Sequence, residues 1–458
     1  MTTDRDTSLP AEGPVVAWYG DDFTGASAVA EVLTFAGLPS VLFLDTPTPE
    51  RLAHFSDRRG IGIAGVARAH SPEWMERELP PIFEALASLR APITHYKVCS
   101  TLDSAPHIGS IGKAMDIGRS IIEGGWTPVV IAAPQIARYQ AFGNLFAVMD
   151  DEAHRLDRHP TMSRHPVTPM GEADVRLHLN QQTKEPIGLV DLLAMQSGVA
   201  EQRLDDELAA GRKIIALDVI DDSTLRATGM LVWSRRGDGI FAVGSQGLEY
   251  ALVAHWHDLG LIEAYPAPPE IARPSRIIAA SGSCSPVTAR QLSWALDHEF
   301  SIIDVDASAA VDPARWDNEI ARASDLAAAY LGEGREPVLA TTRGPDDPAV
   351  ARTTEAAALA RIDPEVLNAR IGDGLGRMVD AVLCRTGIGR ALIAGGDSSG
   401  YAAKAMGIFA LEAIAPLAPG AALFRARSDD AARDGLELTL KGGQMGGPDF
   451  FGRVRNGG

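Results

Sequence analysis

The sequence predicts an α/β fold of two domains, each a largely parallel sheet flanked by helices. Three observations carry this prediction: short apolar runs, loops rich in glycine or proline after them, and amphipathic stretches between them. Apolar runs without alternation are typical of strands buried on both faces, and parallel neighbours need a connecting helix. In such a sheet, ligand-binding loops are expected at the carboxyl ends of the strands.

The pattern first appears near the N-terminus. There the run VVAWY (15–19) is followed by the loop GDDFTG (20–25) and a helical pattern over 26–37. Strand-like runs return at 40–45, 129–134, 213–219 and 241–247, and in the C-terminal part from residues 276, 337 and 391. The repeated order of strand, loop and helix favours a largely parallel sheet flanked by helices in each half.

One segment interrupts this pattern. The stretch AYPAPPEIARP (264–274) carries prolines at 266, 268, 269 and 274, and such a segment continues neither a helix nor a central strand. We predict an interdomain linker at 266–274, which separates domains at 1–265 and 275–458. A surface loop within a single domain is the alternative.

Length and charge exclude several classes of protein. The 458 residues suit two or three domains, and 46% hydrophobic with 22% charged residues is an ordinary globular composition. The formal charge is 42 − 60 = −18, without a basic run. Neither nucleic acid nor a membrane is therefore expected as a partner, and an anionic ligand would have to be held by local groups.

Cysteine usage and the N-terminus predict a cytoplasmic location. Cys99, Cys284 and Cys384 lie far apart and form no C-x-x-C pair. The first residues, MTTDRDTSLPAEGP, lack the apolar core of a signal peptide, and no window approaches the length of an apolar membrane span.

Paired carboxylates follow the first predicted strand. Asp21 and Asp22 stand in GDDFTGA, where carboxylates can bind sugar hydroxyl groups and one can accept a proton from an attacking hydroxyl group. The alternative is that Asp22 or Thr24 only caps the following helix. We predict Asp22 and Asp21 as the catalytic residues.

A second polar cluster lies in the segment YKVCSTLDSAPHIGS (96–110). Its cation, hydroxyl groups and carboxylate suit a polyhydroxylated acid, and Lys97 is the group expected to hold the carboxylate of that acid. Arg68, after the strand-like run GIAGV, could supply a second cation to the same carboxylate. The predicted substrate-binding residues are Arg68, Lys97, Ser100, Thr101 and Asp103.

Three loops of small residues in the C-terminal part predict a nucleotide site. Two of them open a helix, whose free N–H groups and dipole favour a phosphate group. Lys441 could neutralise phosphate charge, and Asp397 could hold Mg²⁺ directly or through water. Glycine and serine turns without a ligand are the alternative. The predicted nucleotide-binding residues are Ser281, Ser283, Ser285, Gly395, Gly396, Asp397, Ser398, Ser399, Gly400, Lys441, Gly442, Gly443 and Gly446.

Two common nucleotide signatures are missing from the sequence. It contains no G-x-x-x-x-G-K-[ST], so a P-loop enzyme of the usual kind is not expected. The nearest match to the dinucleotide fingerprint, GDGLGR (372–377), follows a helical pattern instead of a strand. An NAD-dependent sugar-acid dehydrogenase would need that fingerprint after its first strand, so it is not expected either.

Seven segments together resemble the four-carbon acid sugar kinase family. In chain order they are GDDFTGA, YKVCSTLDSAPHIGSIG, APQIARYQAFGNLFA, HPVTPMGEADVRLHL, SGSCSPVT, GGDSSG and KGGQMGG. The resemblance implies a sugar-acid-binding domain, a nucleotide-binding domain, and phosphorylation of a small sugar acid with ATP and Mg²⁺ in the cleft between them. It also implies that the family's acidic motif falls on Asp21 and Asp22, its substrate arginine on Arg68, and its ATP-contacting loops on the three loops above.

The lysine segment departs from the pattern K-x-D-S-T-x-R-G-N of the tetronate-kinase members. Cys99 stands where that pattern has aspartate, and the arginine and asparagine after the Ser-Thr pair are missing. The departure predicts a divergent branch. The resemblance implies 3-oxo-isoapionate as the first choice of substrate for such a branch, with 3-oxo-tetronate, threonate or erythronate as alternatives. A sugar-acid sensor without catalysis is the alternative from another class, and the three intact loops count against it. A homodimer is the expected oligomeric state.

Overall fold

The computed structural model describes residues 8–149, 151–263 and 271–457, and of Asp397 the backbone alone. The chain divides into two compact units, one of Met1–Val41 and Asp45–Pro266, the other of Leu42–Leu44 and Ala267–Gly458. Residues 266–270 of the predicted linker 266–274 lie outside the described residues.

The first unit alternates strands with helices along most of its length, as the sequence predicts. Its strands are β1 (Val16–Gly20), β2 (Ser40–Phe43), β3 (Gly60–Ala64), β4 (Ile93–Lys97), β5 (Thr127–Val130), β6 (Arg138–Ala141), β7 (Asn144–Met149), β8 (Glu152–Arg155), β9 (Ile187–Val190), β10 (Ile214–Leu217) and β11 (Ile240–Gly244). Its helices are α1 (Phe23–Phe35), α2 (Pro49–Ala53), α3 (Pro72–Ser88), α4 (Ile111–Ile121), α5 (Val175–Leu179), α6 (Leu192–Gln196), α7 (Ala200–Ala209), α8 (Asp222–Ser234) and α9 (Gly247–Asp258).

Parallel strands form the main sheet of this unit, in the order β3-β1-β4-β11-β5-β10-β9. All five residues of β1 are buried, as an unbroken apolar run between two helical layers requires. The chain first places β3 on one side of β1 and then β4 on the other, so the direction of winding reverses there. Such a reversal opens a crevice at the carboxyl ends of the strands.

A small antiparallel sheet of β6, β7 and β8 stands apart from the main sheet. It begins just after β5, and the sequence analysis did not predict it. Ala133 and Arg138 exchange two main-chain hydrogen bonds of 3.0 and 3.1 Å, which fold the intervening turn back on itself. This arrangement returns the chain to the carboxyl edge of the main sheet directly after β5.

The second unit has the same layered organisation. Its strands are β12 (Ile278–Ser281), β13 (Phe300–Asp304), β14 (Glu336–Ala340), β15 (Arg390–Ala394), β16 (Ile408–Ala418), β17 (Ala421–Ser428) and β18 (Glu437–Lys441). Its helices are α10 (Pro286–Leu296), α11 (Pro313–Gly332), α12 (Pro348–Ala360), α13 (Pro364–Thr386), α14 (Gly396–Ala405) and α15 (Phe450–Asn456).

The strands of this unit run in the order β13-β14-β12-β15-β18-β17-β16. The first five are parallel, whereas β17 pairs antiparallel with both β18 and β16. Leu42 and Phe43 of β2 themselves belong to the second unit, where they pair with β16. The winding reverses between β12 and β15, so the second unit also has a crevice at the carboxyl ends of two central strands. The predicted α/β class is confirmed.

The glycines of the fingerprint lookalike at 372–377 lie inside helix α13. A Cβ atom on Gly374 would stand 2.3 Å from the ring of Trp316, and one on Gly376 would stand 2.3 Å from the carbonyl oxygen of Ala402. These glycines therefore allow close packing of α13 on its neighbours and do not form a dinucleotide loop. Among the described residues, no helix is long and apolar enough to cross a membrane.

Candidate active site

The first cluster of functional side chains lies where β1 and β4 end. Gly20 stands opposite Lys97 in the parallel register, so Asp21 emerges at the crevice of the first unit. The main-chain N–H of Asp21 donates to the carbonyl of Lys97 at 2.9 Å, and the N–H of Arg68 donates to the carbonyl of Asp21 at 3.0 Å. The main chain thus brings together three residues that are far apart in the sequence.

Arg68 bridges the two predicted catalytic carboxylates. Its Nη2 donates to Oδ1 of Asp21 at 2.6 Å and to Oδ1 of Asp22 at 2.7 Å, and its Nε donates to Oδ2 of Asp21 at 3.2 Å. The side chains of the aspartates are only 1% and 7% exposed, whereas that of Arg68 is 24% exposed. Buried carboxylates require such a partner, because an unpaired buried charge is strongly unfavourable.

The two aspartates differ in acidity. Burial raises the pKa of Asp21 to about 6, although Arg68 opposes the rise, and the charge of Asp22 adds to it. Burial would also raise the pKa of Asp22, but Arg68, Lys97 and the hydrogen bonds from Thr24 and Gly25 outweigh it and lower that pKa. Asp21 is therefore the better proton acceptor of the two, and Asp22 keeps its negative charge.

Asp22 is also the N-cap of α1, so the capping alternative describes part of its role. Its Oδ1 accepts from the Gly25 N–H at 3.0 Å, and its Oδ2 accepts from the Thr24 hydroxyl group at 2.7 Å. A Cβ atom on Gly25 would stand 2.3 Å from Oδ1 of Asp22 and 3.0 Å from Nζ of Lys97. Only glycine at this position leaves room for both charged groups.

Lys97 is nearly buried at the end of β4, and its Nζ donates to the carbonyl of Val98 at 2.7 Å. After it the chain turns through Cys99 and Thr101, whose Sγ and Oγ1 atoms are 2.9 Å apart. Oγ1 of Thr101 donates to Oδ1 of Asp103 at 3.0 Å. Ser100 is partly exposed in this turn. Burial raises the pKa of the Cys99 thiol to about 11, so it is neutral at physiological pH.

In the second unit, the predicted loops meet at the crevice between β12 and β15. Gly395 has φ +141°, and a Cβ atom there would stand 2.2 Å from Oγ of Ser398. A Cβ atom on Gly282 would stand 2.8 Å from the same Oγ, and one on Gly443 would stand 2.9 Å from Oγ of Ser283. Side chains at these glycines would fill the meeting point of the three loops.

The serine hydroxyl groups in these loops have different environments. Oγ of Ser283 accepts from the Ser285 N–H at 3.2 Å, and Oγ of Ser285 caps α10 by accepting from Val287 at 3.1 Å. Ser399 donates to the carbonyl of Gly396 at 2.8 Å, within α14. The hydroxyl group of Ser281 is buried without a hydrogen-bond partner among the described residues. This hydroxyl group is therefore available to a ligand or a water molecule at the crevice.

Hydrogen bonds from Lys441 stabilise the loop after β18. Its buried Nζ donates to the carbonyl of Gly442 at 2.9 Å and to Oγ1 of Thr288 at 3.2 Å, and burial lowers its pKa to about 8. Gly446 has φ +81° and lies against Phe450, where a Cβ atom would stand 2.3 Å from the ring. The side chain of Asp397 lies outside the described part of the chain, although its backbone is in the first turn of α14 with Gly396 and Gly400.

A cavity of about 330 Å³ adjoins these loops. It combines residues of the loop after β12 and of α14 with residues that the sequence analysis missed. The missed residues are Thr341 and Thr342 after β14, Thr353 and Thr354 on α12, and Asn368 and Ile371 on α13. The threonine pair could have been found, because it follows a predicted strand just as the three predicted loops do. The helical residues carry no local signal, since their position depends on how α12 and α13 pack.

Two family models match the two halves of the chain. A sugar-binding N-terminal domain matches residues 16–252, and a nucleotide-binding C-terminal domain matches residues 278–451. A 3-oxo-isoapionate kinase of Paraburkholderia graminis is 47% identical over 451 residues, which cover 98% of this chain and 96% of that protein. A 3-oxo-tetronate kinase of Methylobacterium radiotolerans is 29% identical over 443 residues, which cover 95% of this chain and 97% of that protein.

Two solved structures share the fold. A Salmonella typhimurium protein superposes with a TM-score of 0.73 at 24% identity and covers 96% of this chain and 98% of its own. A Haemophilus influenzae protein of the DUF1537 family superposes with a TM-score of 0.68 at 24% identity and covers 96% of this chain and 99% of its own.

Proposed function

The chain belongs to the DUF1537 sugar-acid kinase family, with its sugar-binding N-terminal and nucleotide-binding C-terminal domains, and from this premise we propose that it phosphorylates a hydroxyl group of a small sugar acid with ATP. The sequence identity of 47% with a 3-oxo-isoapionate kinase over nearly the full length carries the proposal. The two clusters of side chains at the crevices of the two units support it, because one suits a polyhydroxylated acid and the other a phosphate chain.

The chemistry assigned to the first unit is the preparation of the attacking hydroxyl group. Its oxygen forms a bond to the γ-phosphorus of ATP while the bond from that phosphorus to the bridging oxygen breaks, and ADP leaves. The proton passes to Asp21, whose pKa of about 6 is raised toward that of an effective base. Asp22 and Arg68 align the hydroxyl group and fix the orientation of Asp21.

The chemistry assigned to the second unit is the binding of ATP. Main-chain N–H groups at Gly396 and Ser398, in the first turn of α14, and the dipole of this helix attract the phosphates, while the threonine-lined cavity receives the rest of the nucleotide. Phosphoryl transfer depends mainly on position and charge, so these groups contribute without taking part in a covalent step.

Mg²⁺ is proposed to enter with the ATP phosphates. The hydroxyl and amide groups of the cavity suit a hard cation that is bound chiefly through phosphate oxygens and water, and Asp397 is the protein ligand predicted from the sequence. Asp397→Asn should therefore raise the Mg²⁺ concentration needed for half-maximal turnover about tenfold, in line with the loss of one charged ligand. Titration of Mg²⁺ at saturating ATP measures this, and an unchanged midpoint would exclude Asp397 as a ligand.

Lys441 gives a prediction about pH. Burial holds its pKa at about 8 in the free protein, and a bound phosphate chain would favour its protonated form. Linkage then requires ATP affinity to stay constant below about pH 8 and to fall above it by up to about tenfold per pH unit. Calorimetric titration between pH 7 and 9.5 measures this fall, and Lys441→Met should abolish it. A wild-type affinity that does not change over this range would remove the lysine charge from nucleotide binding.

The substrate is proposed to be 3-oxo-isoapionate, with 3-oxo-tetronate, threonate and erythronate as the alternatives. The test is to measure kcat/KM for each acid by ADP release at fixed ATP. The proposal requires the highest value for 3-oxo-isoapionate, and a higher value for any of the other three acids would reassign the substrate. ATP binding without ADP release from any acid would instead support a sensor. The homodimer expected from the sequence stays a prediction, which light scattering of the purified chain would test.

A further inference from the structure

The predicted substrate cations, Arg68 and Lys97, are already engaged by the protein itself. Arg68 is bonded to both aspartates, and Lys97 lies 2% exposed with its Nζ on a main-chain carbonyl. Both act electrostatically on Asp22. A substrate carboxylate would have to compete with two protein carboxylates for these cations. This competition lowers the free energy that the substrate gains by binding there.

Arg138 is a third cation at the same edge of the sheet. It begins β6, and two hydrogen bonds with Ala133 fix its main chain. Ala133 is the third residue after the end of β5. In the sheet, β11 alone separates β5 from β4, so the ends of β4 and β5 are about 10 Å apart at the usual spacing of strands. Arg138 therefore lies near the end of β5, which is two strands away from β4 and Lys97.

The guanidinium group of Arg138 is held in place without a carboxylate. Its Nη1 donates to the carbonyls of Ile136 and Ala137, each at 3.1 Å, and Ala137 adopts a left-handed conformation with φ +56° to permit this turn. No carboxylate of the described chain lies within ion-pair distance of Arg138, and its buried Nε has no hydrogen-bond partner there. A buried guanidinium N–H without an acceptor indicates a ligand in the functional state.

The segment between Cys99 and Asp103 connects this arginine to the rest of the cluster. Cys99 and Asp103 act electrostatically on Arg68 and on Arg138, so the segment is close to both guanidinium groups. The thiol of Cys99 is neutral, which leaves Asp103 as the one negative group of this segment. Oδ1 of Asp103 accepts a hydrogen bond from Thr101, and Asp103 forms no ion pair with Arg138 among the described residues.

We propose that Arg138 receives the carboxylate of the sugar acid and thereby sets the preference of the first unit for acids over neutral sugars. This inference rests on the proposed function and identifies the part of the substrate that each cation meets. Arg68 and Lys97 then organise the carboxylates that align the hydroxyl group, while Arg138 fixes the other end of the same small molecule. Its fixed guanidinium suits the two oxygens of a carboxylate.

Steady-state kinetics of Arg138→Met test the proposal. The KM for the sugar acid should rise by about tenfold to a hundredfold, in line with the loss of a charge-assisted hydrogen bond, and the KM for ATP should stay unchanged. The KM of Arg138→Lys for the sugar acid should lie between those of the wild type and Arg138→Met, because lysine keeps the positive charge but lacks the paired N–H donors of a guanidinium group. Arg155→Met is the matched control, because Arg155 lies in the same small sheet and pairs with Asp157. It should match the wild type.

A second readout separates recognition from a structural role. The wild type should prefer the acid strongly over the neutral sugar alcohol of the same carbon skeleton, and Arg138→Met should lose most of this preference. An unchanged preference, or an unchanged KM for the acid, would overturn the proposal. If the methionine variant does not fold, Arg138→Lys and Arg138→Gln give the same comparison. Failure of the proposed function looks different, because the wild type itself would then release no ADP with any acid, and calorimetric binding of the acid would test Arg138 directly.

Discussion

Replacing Asp22 by asparagine is expected to lower turnover about a hundredfold while leaving the affinity for ATP unchanged. Misplacement of a reacting group by about 1 Å can cost this much, and the substitution removes one of the two carboxylates that hold Arg68. Asparagine is as good an N-cap as aspartate, so α1 should remain intact. Arg68 also keeps its ion pair with Asp21, so the loss should appear mainly in kcat for the sugar acid. ADP release at saturating substrates gives kcat, and calorimetry gives the affinity for ATP.

A matched control exists for the Asp22 substitution. Asp191 caps α6 by accepting from Ala194 at 2.9 Å, and it follows β9 at the far edge of the same sheet. Asp191→Asn should therefore leave turnover unchanged. Wild-type turnover in Asp22→Asn would remove Asp22 from the mechanism, and a comparable loss in Asp191→Asn would point to a general effect of capping.

Replacing Arg68 by methionine should destabilise the first unit and abolish turnover. Removing one partner of a buried ion pair costs about 3 kcal/mol or more, because it leaves uncompensated charge, and here two carboxylates lose the same partner. For a unit of this size, about 3 kcal/mol corresponds to a fall in Tm of roughly 6–12 °C. Differential scanning calorimetry measures the change. Arg77→Met is the control, since Arg77 is 68% exposed and pairs with Glu78, so its Tm should hardly move.

The destabilisation by Arg68→Met should depend on pH. Without the arginine, the influence that lowers the pKa of both aspartates is lost, so the folded-state pKa of Asp21 rises further above its unfolded value and that of Asp22 rises from below its unfolded value. A carboxyl group with a raised folded-state pKa binds more protons when folded, and its contribution to stability falls as pH rises through that window. The deficit in Tm should therefore be larger at pH 8 than at pH 5. An equal deficit at both values would contradict the assigned pairing.

Much of this account could be predicted from residue order. The buried apolar runs predicted strands, and parallel strands place the residues after them at one edge of the sheet. Asp21, Lys97 and the glycine loops could therefore be predicted as site residues. The antiparallel strand β16 was missed, because Pro416 and the small residues of ALEAIAPLA do not resemble a central strand. The sheet β6–β8 was missed as well.

The pairing of charges could not be predicted in the same way. Arg68 was predicted to bind the substrate, but its bonds to carboxylates that are 46 and 47 residues away in the chain were not predicted. Lys441 was predicted to neutralise phosphate charge, but the hydrogen bonds of its Nζ to Thr288 and to the carbonyl of Gly442 were not predicted. Arg138 lies in the segment APQIARYQAFGNLFA that carries part of the resemblance, but the sequence analysis gave it no role. Which charged groups meet is decided by strand order and by the turn after each strand, and neither can be derived from local sequence.

The central claim is that the chain transfers a phosphoryl group from ATP to a small sugar acid. Phosphorus-31 NMR of a reaction with Mg²⁺, ATP and 3-oxo-isoapionate tests it most directly. The account predicts a new phosphomonoester signal that grows in step with ADP and depends on the acid. ADP without a phosphomonoester, or no reaction with any of the four acids, would contradict it.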